Sequence, residues 1–371
     1  MQTRFTQMFG IRLPLAGFSR SREVVSEVAL GGGLGVLAAT MYSPAELDAH
    51  LTWIEEQVGD RPYGVDLLLP ARQVSGDSPD IAADLRARIP SAHREFVTGV
   101  LDAFEIPPLL ENDPGRTDED YARLDPSNVE ALLDVTFSHR VQLVASALGP
   151  APDYLVERAR NYGVRVAGLI GRAEHAEAQL AAGVDIVVAQ GSEAGGHTGE
   201  ISTMVLTPEI VELAGDIPVL AAGGIARGRQ LAAAVALGAA GGWAGSVWLG
   251  SEEDPAPLSV KKKFLAASSS DTVRSKSRTG KPARQLRTPW HEAWERDGAP
   301  EALQLPLQMM LTAEAFSRID AAAARGHEGA VELQTYFVGQ VVGSFRELRP
   351  TASIMSDITE EFEATLASFR K

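Results

Sequence analysis

One histidine, two acids and four glycines crowd the run VVAQGSEAGGHTGE, residues 187–200. His197 is the side chain there best suited to hold or move a proton near neutral pH. The glycines let the main chain approach a flat or phosphorylated ligand closely and adopt positive φ. The apolar stretch 185–189 reads as a buried strand, so the imidazole is carried at the end of a rigid element. The plainer reading is a glycine-rich turn holding an incidental histidine. The next hundred residues supply matching parts and favour the ligand.

Those parts are two further strand ends. IPVLAAGGIA, residues 217–226, is a strand running into Gly223-Gly224. GAAGGWAGS, residues 238–246, is a second short strand ending in Gly245-Ser246. Adjacent strand ends with free backbone N–H groups make a phosphate cradle. In (β/α)8 barrels that cradle follows strands 7 and 8.

The elements that must position these residues alternate regularly. Strands are expected at 13–16, 35–39, 63–69, 141–147, 164–169, 185–189, 219–222 and 242–245. Helices are expected at 22–30, 44–58, 128–139, 152–162, 173–182, 207–214 and 228–237. Ser43-Pro44 with Glu46 marks one helix start, and Gly163, Gly183 and Gly238 mark helix ends. The strands are continuous apolar runs, as when both faces are buried. This predicts the α/β class and a (β/α)8 TIM barrel, built from 1–69 and 128–250. A doubly wound open sheet is the second choice, weakened because no GxGxxG turn follows the first strand. Residues 70–127 are too long and polar for a simple loop and are expected to form an insertion with a helix at 91–104, either a lid or a surface excursion without a function. Residues 251–371 are expected to form a C-terminal helical extension, with helical pieces at 257–267, 330–342 and 356–369.

Net charge is −15, which argues against nucleic acid or an anionic membrane as partner. The chain has no cysteine, which excludes disulfides, thiolate metal sites and cysteine nucleophiles. No His/Asp/Glu set has metal-ligand spacing, so no metal is expected. The N-terminus lacks a signal-peptide core and no apolar run reaches a membrane span, so a cytoplasmic protein is expected. A basic window stands out at 261–287: Lys261, Lys262, Lys263, Arg274, Lys276, Arg278, Lys281, Arg284 and Arg287, against the single acid Asp271. It is either a solvated, internally paired surface or a site for a phosphorylated ligand. Ser146, Lys281 and Arg284 are the candidates for contact with a substrate or second ligand. Glu193 is read as a loop hydrogen-bond acceptor in preference to an acid catalyst, and His175 as solvent-facing.

The segments QGSEAGGHTG (190–199), AAGGIARG (221–228) and AGS (244–246) resemble the nitronate monooxygenase family, also called 2-nitropropane dioxygenases. Weaker likeness lies in Gly32-Gly33-Leu34-Gly35 and Tyr63-Gly64-Val65-Asp66, and the tail resembles actinobacterial members at 270–274 and 279–284. The same superfamily holds flavin-dependent enoyl-ACP reductases. The resemblance implies non-covalent FMN. By position, Gly223, Gly224, Gly245 and Ser246 would hold its phosphate. Gln190, Gly195 and Gly196 would touch the flavin, and Ala16, Gly17, Phe18 and Asp66 would line the ring. His197 would be the catalytic imidazole, with a near-neutral pKa suited to base or hydrogen-bond donor. Asp66 stands where the family often has Asn, the first βα loop is short, and the last strand reads Trp243-Ala244-Gly245-Ser246.

Two reactions follow from that resemblance: oxidation of alkyl nitronates or nitroalkanes by O2, and NAD(P)H-dependent reduction of an enone or enoyl-CoA/ACP thioester. A non-catalytic flavin-binding regulator is a third class. The basic window suits the reductase better. Small-molecule substrates are expected, and the oligomeric state is open.

Overall fold

The computed structural model describes residues 1–69, 81–113, 126–147 and 149–369. Eight parallel strands close into a barrel: β1 (Leu15–Ser19), β2 (Leu34–Ala38), β3 (Tyr63–Leu68), β4 (Leu143–Ala147), β5 (Arg165–Ile170), β6 (Ile186–Gln190), β8 (Val219–Ala222) and β9 (Gly241–Ala244). Closure is made by β1 against β9, with Ala16 opposite Trp243. A short strand, β7 (Gly196–His197), leaves the barrel and joins β11 (Ala283–Leu286) and β10 (Thr272–Ser275) in an antiparallel sheet of order β10-β11-β7.

Alternation along each strand sorts side chains into two cores. Ala16, Leu34, Val36, Leu143, Ala145, Ile186, Val188, Leu220 and Trp243 pack together inside the barrel. Val65, Leu67, Val144, Val166, Val187 and Ala189 point outward and pack with the surrounding helices. The same parity turns Asp66 inward with its paired neighbours Ala38 and Ala145.

The barrel expectation holds, with corrections at its edges. β1 runs to Ser19, so Phe18 and Ser19 belong to the strand and not to a loop after it. The helix expected at 207–214 begins at Thr203, with Pro208 inside it. The helix expected at 330–342 is three pieces: a helix over Glu328–Leu333, an extended stretch, and a 3-10 turn over Gln340–Ser344. The extended stretch is held by pairing, since Leu286 N–H donates to Tyr336 and Phe337 bridges to Gln285. The 18-residue helix Leu307–Ala324 was not foreseen.

The last helix, Thr351–Ser368, is the part of the C-terminal region that completes the barrel's outer ring. Its Ile354, Met355, Ile358 and Phe362 pack with Val24 and Val28 of the first barrel helix and with Leu231 of the helix Gly228–Ala236. Glu361 accepts from Arg227 and Arg229, and Glu253 accepts from Thr351 N–H. The stretch 251–350 is therefore an excursion between the last barrel strand and its helix. In the 70–127 insertion, 70–80 and 114–125 lie outside the described residues. Its described helices are Ile81–Ala87 and Ser91–Ala103, and the second packs Val97, Val100 and Leu101 against Trp290, Phe316 and Ile319 of the excursion. Arg318 fastens the join by donating to the carbonyls of Ile106 and Pro107.

Gly228 is where the closing helix comes nearest. A Cβ there would run into the main chain at Ile358 and Phe362. Gly228→Ala should therefore cost roughly 1–3 kcal/mol in chemical denaturation, the usual penalty for overpacking. An unchanged midpoint would mean that this helix is not held against the ring.

Candidate active site

The C-terminal ends of the barrel strands open into one cavity of about 1390 Å³. Phe18, Asp66, Gln190, Ala222 and Trp243 are among the inward residues at those ends, and all lie on its wall. Phe18 and Trp243 stack with centroids 5.9 Å apart, which gives the floor a flat aromatic element. Ala16 and Gly17 do not reach the cavity. Ala16 is buried one layer below, and a Cβ on Gly17 would press on Val28 of the outer helix. Of the expected Ala16, Gly17 and Phe18, the longer β1 brings only Phe18 to the cavity.

One side of the cavity is a cradle of glycines. Gly223 and Gly224 adopt φ of 93° and 74°, values that side-chain-bearing residues rarely take. Gly245 and Ser246 end the neighbouring strand on the same wall. A segment the sequence did not single out completes it. Gly339 N–H donates to Ser246 Oγ at 2.8 Å, and Gln340 N–H donates to the Glu193 carbonyl at 2.9 Å. Gly195 and Gly339 sit back to back: a Cβ on Gly195 would lie 2.8 Å from Gly339 N.

Glu193 fixes these pieces together. Its carboxylate accepts from Thr203 N–H at 2.9 Å and lies 3.0 Å from Thr203 Oγ1. That hydroxyl also lies 3.0 Å from the Ala222 carbonyl. The side chain thus serves as a structural acceptor at a helix start, where a negative charge is favoured. The signal that could have found Thr203 was Ser202-Thr203 ahead of an apolar run, a capping pattern.

His197 faces the cavity from β7, paired with Ala283 of β11. Its Nε2 is hydrogen-bonded to Thr279 Oγ1 at 2.9 Å. The Phe337 ring lies 6.2 Å from the imidazole. Burial, with the Lys281 charge adding to it, pushes the histidine pKa down to about 4. The expected near-neutral value is thereby corrected: the imidazole is neutral at physiological pH. Asp66 moves the other way. It is 6 % exposed, and burial raises its pKa to about 7.

Most of the basic window has structural work. Lys261 donates to the carbonyls of Ser251 and Glu252, and Lys263 to those of Val331, Glu332 and Gln334. Arg274 bonds Thr198, and Arg284 bonds the Ser192 carbonyl and Thr272. Arg287 pairs with Glu295. Two members, Arg278 and Lys281, line the cavity. Arg278 is 9 % exposed and its guanidinium lies 4.3 Å from the Phe316 ring and 4.7 Å from that of Phe337. Arg284 is off the cavity wall, drawn away by the Ser192 carbonyl. Ser146 follows the outward parity of Val144 and is fully buried, so it too is away from the cavity. His175 is exposed, as expected, yet stands at the cavity's edge, where Arg172 Nε donates to it at 3.0 Å. Arg20, Tyr336 and Phe337 also line the cavity and carried no recognisable sequence signal. No described residue of the 70–127 insertion is on its wall. Among the described residues no cluster of His, Asp or Glu is placed to hold a metal, and no helix is long and apolar enough to cross a membrane.

Removing the Glu193 carboxylate leaves the Thr203 N–H without its acceptor, while the hydroxyl keeps the Ala222 carbonyl. Glu193→Ala should cost roughly 2 kcal/mol of stability by thermal or urea unfolding, and Glu193→Gln distinctly less. Equal stability of the alanine variant and the parent would show that the cradle does not depend on this joint.

The profile of the nitronate monooxygenase family matches residues 2–361. The chain is 50% identical over 371 residues to Rv1533 of Mycobacterium tuberculosis, which bears a provisional monooxygenase name; the match covers 100% of this chain and 99% of that one. It is 30% identical to an octahydro-indene carboxyl-CoA dehydrogenase of Rhodococcus jostii, covering 80% of this chain and 69% of the other. Among solved structures, nitroalkane oxidase from Streptomyces ansochromogenes superposes with a TM-score of 0.77 at 26% identity, covering 98% of this chain and 99% of that one. FabK from Thermotoga maritima gives 0.71 at 26%, covering 100% and 99%. With a family match over almost its whole length and this barrel-end site, the chain belongs to the nitronate monooxygenase family of oxidoreductases.

Proposed function

We propose that the protein binds FMN in this cavity and oxidises alkyl nitronates with O2. The observation that carries the reading is the neutral His197 held beside a glycine cradle in a family of nitronate oxidisers. The residues fit the cofactor. The left-handed Gly223-Gly224 turn, Gly245 and the Ser246 hydroxyl would hold a phosphate, since main-chain N–H groups and a hydroxyl suffice for it. Phe18 and Trp243 offer a flat apolar bed, with Asp66 and Gln190 as the polar groups on the floor. When bound, FMN supplies the capacity to take electrons from the nitronate and pass them to O2.

The chain's own residues orient and select. An imidazole whose conjugate acid lies near 4 is a weak base toward a neutral nitroalkane carbon. It remains a good hydrogen-bonding partner for a nitronate oxygen through its N–H. Arg278 and Lys281 place positive charge on the cavity wall, which favours the nitronate anion over the neutral nitroalkane.

A second reading is an NAD(P)H-dependent reductase acting on an enone or an enoyl thioester. The cavity volume favours it, because about 1390 Å³ exceeds the roughly 300–1,000 Å³ of a one-ligand pocket. The relative named as a CoA dehydrogenase supports it as well.

For the FMN-loaded protein, kcat/KM on a preformed nitronate should exceed that on the parent nitroalkane by about 100-fold or more. The nitronate profile should show no His197 inflection between about pH 6 and 8, because the neutral form is lost only as pH falls toward about 4. His197→Asn should keep its flavin and lose about tenfold on the nitronate, the value of one hydrogen bond. A wild-type inflection near pH 6.5 that disappears in the variant would contradict the neutral-imidazole reading.

A further inference from the structure

Asp66 is an acid in a place where a carboxylate is costly. It stands near the C-terminal end of β3 and lines the cavity. The strands on either side set alanines opposite it, Ala38 and Ala145. Phe18 and Trp243 make up the aromatic part of the same floor. No hydrogen bond to its carboxyl is found among the described residues. An isolated carboxylate in such surroundings is strongly disfavoured, and it takes up a proton instead.

The other charged and titratable groups on the wall are Arg20, Tyr42, Glu193, His197, Glu200, Asp254, Arg278, Lys281 and Tyr336, with Arg172 and His175 at the edge. None of them is a cause of the shift at Asp66; burial is the whole of it. Glu193 is engaged by Thr203, and Asp254 accepts from Ala256 N–H at 2.8 Å.

We propose that Asp66 acts as a positioning residue in its protonated form, donating a hydrogen bond from its carboxyl O–H to an acceptor on the edge of the bound cofactor ring. This rests on the FMN reading above. A ring laid over the floor removes the remaining water from Asp66, so the bound state demands the neutral acid still more strongly. Cofactor affinity and proton uptake at Asp66 are then one linked equilibrium. The sign follows directly. Below about pH 7 the acid is already protonated and binding costs nothing extra. Above it, each binding event must first take up a proton, so affinity falls as pH rises. The FMN phosphate does not produce this trend, since its second ionisation near 6 is complete by then.

The test is the dissociation constant of FMN for the apoprotein, measured by flavin fluorescence quenching between about pH 6.5 and 9. Wild type should weaken at least about tenfold from pH 7 to 9, as a single ionisation near 7 requires. Asp66→Asn, a neutral donor of the same shape, should vary less than about twofold and bind more tightly than wild type at pH 9. Any contribution from Asp254 is common to both proteins and cancels. Asp66→Leu should bind more weakly than wild type at pH 6.5, with no pH trend, because the donor is gone. Parallel curves for wild type and Asp66→Asn would overturn the proposal while leaving FMN binding intact, and so would a leucine variant that binds as tightly as wild type at pH 6.5. Failure of wild type to bind FMN at any pH would overturn both this proposal and the cofactor reading on which it rests.

Discussion

The site depends on one joint, the hydrogen bonds that Glu193 makes with Thr203 and with the main chain beyond. Through its carboxylate it holds the start of a barrel helix, and the Thr203 hydroxyl carries the link to the Ala222 carbonyl at the glycine turn. Through its carbonyl it takes Gln340, which brings Gly339 onto Ser246. Four segments distant in sequence become one wall by these bonds. The glycines are needed because the segments meet backbone to backbone, at Gly195 against Gly339 and at Gly223 against Ala194. A cradle built this way is rigid before a ligand arrives, which lowers the cost of binding.

Desolvation then sets the chemistry inside. Burial lowers His197 and raises Asp66, so the imidazole is neutral at neutral pH and the carboxyl passes between its two forms there. Arg278 and Lys281 remain as the positive groups nearest the imidazole's side of the cavity, with Phe337 between Arg278 and His197. On the nitronate reading proposed above, the neutral base and fixed cations suit an anionic substrate better than one that must first be deprotonated. The excursion contributes much of this environment. Arg278 is wedged against Phe316, a core residue of the layer that also carries the insertion helix Ser91–Ala103.

Much of the barrel was legible because parallel strands are buried on both faces and so appear as short apolar runs cut by glycine and capping residues. The cradle glycines and His197 were legible because their types are unusual at strand ends. What stayed hidden depends on long-range pairing. Gly339 looks like any loop glycine until Gly195 and Ser246 are brought to it. The excursion's sheet uses short strands with mixed residues at Thr272–Ser275 and Ala283–Leu286, whose only reason to be strands is each other and Gly196–His197. The basic window left two readings open because charge alone does not say that Lys261 and Lys263 donate to carbonyls. The strand expected at 13–16 is Leu15–Ser19, three residues later at its end, and this puts Phe18 in the inward position there.

Anaerobic rapid mixing of the purified flavoprotein with a nitronate, and separately with NADH and NADPH, tests the account most directly. It predicts fast loss of oxidised-flavin absorbance with the nitronate and none with either nucleotide. Fast reduction by a nucleotide with no response to the nitronate would contradict it and place the protein among flavin-dependent reductases.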